Sequence, residues 1–174
     1  MHVAIALFTI YSVWRWGDWR NWKVYHPTML YISVGGLLYE YLTHGFVLWK
    51  FHPDFLYNHP ITVIVYAVLT MPLTVLLFLS RYPEGGSIQE KAVYYLFWVG
   101  CYSFFEWVLY LAGRISYDHG WNLGHSILFD IMMFPMLRFH FVKPLGAYSV
   151  SVLIIIYLMV HFDVPFESPM KLWP

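Results

Sequence analysis

The sequence predicts an all-α fold, a polytopic integral membrane helix bundle of about six transmembrane helices, and three observations predict it. Six apolar segments follow one another along the chain, most of them near the ~20 residues that a spanning helix needs. Only 11% of the 174 residues are charged, well below the ~25% of a soluble domain. Aromatic residues make up 22%, with nine Trp and fifteen Tyr, and these two types collect where membrane meets water. The mean hydropathy of +0.56 agrees.

The first segment, roughly 1–14, is short for a span. It has no Lys or Arg ahead of its apolar run and no small-residue cleavage pattern, so it reads as a retained helix rather than a signal peptide. The second, 27–51, carries Glu40 near its middle and His44 four residues later, on one helical face. Gly36 lies one turn earlier on that face, where a second helix can approach closely. The third, 59–79, is interrupted by Pro72, and the fifth, 122–141, contains Pro135; the fourth is 91–113 and the sixth 144–162. Interior prolines are tolerated in such helices because neighbouring helices or water satisfy the freed carbonyls, and both are expected to be packing kinks. No linker is long enough to separate domains, so 1–174 is expected to form one bundle.

Orientation follows from Lys and Arg. Arg15, Arg20, Lys23, Arg81, Lys91, Arg138 and Lys143 fall in loops on one side, and Lys50, Arg114 and Lys171 on the other. The richer side is expected to face the cytoplasm of a cell membrane, with both termini outside and the second helix running outward. Net charge is zero, so no basic surface points to nucleic acid. The single cysteine, Cys101, cannot form an intrachain disulfide. The first loop, WRWGDWRNWKVYHPT, reads as an interfacial anchor, with indoles at headgroup level and cations towards anionic lipid; a partner-docking loop is the alternative.

Four stretches carry a resemblance: WRWGDWRNWKVYHPTMLY, GGLLYEYLTHG, HGWNLGHSILFDIMMFPMLRFHFVKP and the ending HFDVP. Together the chain resembles a family of small multi-span membrane proteins, of no established activity, from endospore-forming Bacillus- and Clostridium-type bacteria. The resemblance covers most of the chain. It implies a membrane helix bundle and a sporulating source, and carries over no catalytic residues.

Glu40, Glu106 and Asp130 fall inside expected spans. At ~1.5 Å per residue, Glu40 and Glu106 lie roughly 20 Å from the inner ends of their helices, and Asp130 roughly 12 Å from the outer end of its own. In a ~30 Å core the three share one level, in the outer half. An ionisable group inside a span is costly and by default suggests function. Asn122, Ser126 and Asp130 repeat every four residues, as do Tyr102, Glu106 and Tyr110. His44, Arg114 and His125 lie nearer the outer end, and the sixth helix ends with Tyr157, His161 and Asp163. The candidate binding set is therefore Glu40, His44, Glu106, Arg114, Ser126, Asp130, His161 and Asp163, around a polar pocket opening outward. The alternative is that the carboxyls are protonated and join helix to helix.

Three charged carboxylates at one level would repel one another strongly, so such a pocket must hold protons, the Arg114 cation or a bound cation. Carboxylates with histidine suit Zn or Mn, and carboxylates alone Ca or Mg, but no HExxH or HxxxH pattern specifies a metal. There is no Gly-rich phosphate loop, no G-x-S-x-G and no CxxCH, so no cofactor is specified. Three readings follow: permeation of a proton, a cation or a small cationic or polar solute; a membrane-embedded enzyme acting on a lipid or headgroup; and, from the resemblance alone, a non-catalytic component of the spore envelope.

Overall fold

Helix boundaries in this chain are set by a few polar residues and glycines between long apolar runs. A computed structural model describes residues 1–53 and 58–165. Among these residues the chain forms six helices: α1 (His2–Trp16), α2 (Trp22–Leu42), α3 (His59–Ser80), α4 (Ile88–Leu111), α5 (Leu123–Val142) and α6 (Pro144–His161). Helices α3, α4 and α6, of 22, 24 and 18 residues, are long and apolar enough to cross a membrane. Helix α1, with 15 residues, reaches only ~22 Å at helical rise. Of the charge count above, Lys171 lies outside the described residues.

Side-chain caps start three of the helices. Asn58 Oδ1 accepts from Ile61 N at 3.0 Å at the head of α3, and Asn122 Oδ1 accepts from His125 N at 3.3 Å at the head of α5. Ser87 and Glu90 form a reciprocal capping box on α4, satisfying two backbone N–H groups that the helix itself leaves open. Asn122 is therefore a cap, and only Ser126 and Asp130 of the expected polar stripe lie within α5.

The second segment is the one whose boundaries differ from expectation. Helix α2 begins at Trp22, ahead of Pro27, and stops at Leu42. Thr43 Oγ1 donates back to the Tyr39 carbonyl at 2.9 Å, and Gly45, at φ 77°, turns the chain in the left-handed region that only glycine enters freely. The apolar run beyond it is a strand: β1 (Trp49–Phe51) pairs antiparallel with β2 (Ile115–Tyr117), Lys50 opposite Ser116. This two-stranded sheet departs from a purely helical expectation. His44 thus sits in an exposed turn and does not share a helical face with Glu40.

Pro72 does not break α3. The preceding residues Tyr66–Thr70 form a π-helical turn, and the helix runs on through Met71–Ser80. Pro135 is likewise accommodated inside α5. Gly36 brings α2 against α3, since a Cβ there would stand 3.4 Å from Ala67 Cβ.

The helices alternate in direction. At the sheet end, His2 Nε2 bonds the His52 carbonyl at 3.1 Å, fixing the start of α1 beside β1. At the opposite end, Arg81 Nε donates to the Trp16 carbonyl at 2.6 Å, and Arg138 pairs with Glu84 at 2.6 Å. Each end has an apolar cluster. Phe78, Trp98, Phe134 and Leu137 pack at the end away from the sheet, and Leu48, Trp121, Met159 and Phe162 pack under it.

Candidate ligand cavity

Between these clusters lies a partly enclosed cavity of about 920 Å3, walled by residues of all six helices and both strands. Most of the wall is hydrocarbon and aromatic. Among the described residues that line it, the charged types are Glu106, Asp130 and, at the end away from the sheet, Arg81.

Glu106 projects from α4 and meets β2. The Tyr117 hydroxyl donates to Glu106 Oε1 at 2.7 Å. Burial, and then the neighbouring Glu106 carboxylate, push the Tyr117 hydroxyl above the ordinary phenol range, so it remains a donor throughout the physiological range. Ser126, one turn before Asp130 on α5, stands beside both groups and also accepts from Trp121 Nε1 at 2.9 Å. Asp130 is close enough to Glu106 and to Tyr102 to interact with each electrostatically. It is 6% exposed, and its Oδ2 has no hydrogen-bond partner among the described residues. Two further residues that line the cavity have a buried hydroxyl without a partner among the described residues, Ser12 Oγ and Thr70 Oγ1. Buried polar atoms are seldom left unpaired, so these groups behind the lining stand out.

No family model, no curated protein and no solved structure matches the chain.

The other candidate residues lie elsewhere. Glu40 points away from the cavity to His59, with Oε1 3.1 Å from Nε2. His59 Nδ1 is 3.2 Å from the Phe51 carbonyl, which can only accept, so Nδ1 carries a proton. Nε2 facing a carboxyl oxygen then requires one more proton, on Nε2 or on Glu40. The imidazole gives the half-buried Glu40 carboxyl a polar partner. Arg114 follows α4, where its Nη1 donates to the Pro53 carbonyl at 3.1 Å; it ties two loops together and does not line the cavity. His161 is exposed at the end of α6, stacked on Tyr157, and Asp163 is exposed at φ 52°. Tyr110 stacks on Tyr117 and leaves Glu106 to it.

Three contributors were not legible in the sequence. Tyr117 and Trp121 come from the loop region between α4 and α5, and only the β1–β2 pairing brings Tyr117 to Glu106. His59 sits at the head of α3 and reaches Glu40 across the α2–α3 interface. Among the described residues, no three His, Cys, Asp or Glu side chains are placed to hold a metal ion.

Proposed function

We propose that this is a six-span protein of the cell membrane, with both termini and the β1–β2 sheet outside, that admits a proton, a cation or a small cationic solute to the cavity beside Glu106 and Asp130. The observation that carries the reading is Asp130: a cavity-lining residue 6% exposed, within electrostatic reach of a second carboxyl, with one buried oxygen that has no hydrogen-bond partner among the described residues. A buried acceptor in that state favours a donor or a positive charge. The seven-to-three division of Lys and Arg supports the orientation, and the exposed Trp14, Trp16, Trp19 and Trp22 suit an interfacial belt at the inner face. A metal-dependent enzyme finds less support, because the carboxyl at the third site is engaged by His59.

The test is flux in liposomes. Wild-type protein is expected to move protons or a small monovalent cation in a pH-dependent way. Glu106→Gln keeps a carbonyl oxygen for the Tyr117 hydroxyl, so it is expected to abolish pH-coupled flux while leaving the melting temperature unchanged. If Gln is silent in both measurements and Glu106→Leu lowers only stability, Glu106 joins α4 to the sheet and the reading fails.

A further inference from the structure

The shape and lining of the cavity narrow what it accepts. Val63 and Arg81 both lie on its wall, so it runs roughly 27 Å along α3 at the helical rise of ~1.5 Å per residue. With a volume of about 920 Å3 over that length, the cavity is several times longer than it is wide. That elongation suits an extended chain. The wall along most of this length is apolar: Ile32, Phe97, Cys101, Met133 and Ile155 are representative. A hydrated ion or a sugar would exchange water for hydrocarbon there at a large cost.

The acidic groups are not spread along the cavity. Glu106 is five residues from the end of α4 and Asp130 seven from the start of α5, so both stand in the half towards the sheet. From Glu106 back to Tyr94, another wall residue, α4 supplies ~18 Å of lining with no charged side chain. The cavity is thus amphipathic along its axis: an acceptor pair near one end and a long apolar run towards the other. Tyr102, beside Asp130, and Trp121, bonded to Ser126, add aromatic surface near the acids, where a cation is also attracted to ring faces.

Resting on the cavity reading above, we infer that the occupant is a single-chain amphiphile with an ammonium head, the head at Glu106 and Asp130 and the chain extended along the bundle axis towards Arg81. The Glu106 and Asp130 carboxyls, both on the cavity lining, receive the head, and the apolar wall replaces water around the chain. This differs from small-cation permeation in requiring the chain.

Photolabelling tests it. The chain, in nanodiscs of an anionic lipid that has no amine, is exposed to a dodecyltrimethylammonium carrying a diazirine at the chain terminus, and the labelled residues are mapped by mass spectrometry. Label is expected on wall residues of the half away from the sheet, such as Leu137 or Tyr148. Unlabelled dodecyltrimethylammonium is expected to compete at least about tenfold better than tetramethylammonium, because each buried methylene adds favourable transfer energy. Asp130→Asn and Glu106→Gln, each checked for an unchanged melting temperature, are expected to weaken labelling by about tenfold, the loss of a charge-assisted contact. Dodecanol competing as well as the ammonium would overturn the inference, since the acids would then select nothing. Tetramethylammonium competing as well as the long chain would overturn it too, yet leave small-cation permeation standing. Label absent from the wall, with cation flux intact in liposomes, would do the same; absence of both would remove the cavity reading itself.

Discussion

Glu106 and Glu40 show how differently two carboxyls towards the sheet end are handled. Glu40 pairs with His59, whereas Glu106 receives a hydroxyl from Tyr117 and lies within electrostatic reach of Asp130. Tyr117→Phe removes that donor with little change of shape. It is expected to lower stability by about 1 kcal/mol, which for a chain of this size is a fall in melting temperature of about 2–4 °C. Circular dichroism on heating measures it, and an unchanged melting temperature would mean that water replaces the hydroxyl. Helix counting put Glu40, Glu106 and Asp130 at one level, but Glu40 stands two residues from the end of α2, nearer the sheet than the other two; only the place of Glu106 and Asp130 in the half towards the sheet was legible. Their rotation about each helix was not: apolar spans have almost no hydrophobic periodicity, so nothing in the pattern says that Glu106 and Asp130 face one cavity while Glu40 faces α3.

At the scale of elements, the apolar runs of 59–79, 91–113, 122–141 and 144–162 read directly as α3 to α6, because length and hydropathy suffice for such helices. The run 27–51 misled because aromatic residues continue past the true end of α2. The Thr43–Gly45 turn is the signal that ends the helix, and it lay inside an apolar stretch. Three-residue strands have no usable period, so β1 and β2 could not be read at all. Two neighbouring glycines test the packing. A Cβ at Gly36 would meet Ala67, whereas a Cβ at Gly35 has nothing within 4 Å. Gly36→Val is therefore expected to destabilise by about 1–3 kcal/mol through overpacking of α2 on α3. Gly35→Ala is expected to be neutral or slightly stabilising, since the helix gains propensity. Thermal melts of the two proteins compare them; equal losses would contradict the close approach of α2 to α3.

For the molecule as a whole, the alternating helices place the cation-rich loops together at the end away from the sheet: Arg15, Arg20 and Lys23, Arg81 and Lys91, Arg138 and Lys143. The proposed orientation puts that end inside. In a Cys101→Ser background, Asp118→Cys in the loop beyond β2 is expected to react with an impermeant thiol reagent in intact cells, and Asn21→Cys only after lysis. Both positions are exposed, so the reversed pattern reverses the topology.

The same two-ended architecture explains why the acids are useful. An apolar cluster packs towards each end of the bundle, and Glu106 and Asp130 supply the acidic groups of a mostly apolar wall. The central claim is that these two carboxyls, and not Glu40, form the site. It is tested most directly by measuring cation-dependent flux in liposomes for Asp130→Asn and Glu40→Gln side by side. The account predicts that Asp130→Asn abolishes flux and that Glu40→Gln retains most of it, at some cost in melting temperature from the lost His59 partner. Flux that survives Asp130→Asn and disappears with Glu40→Gln would contradict it.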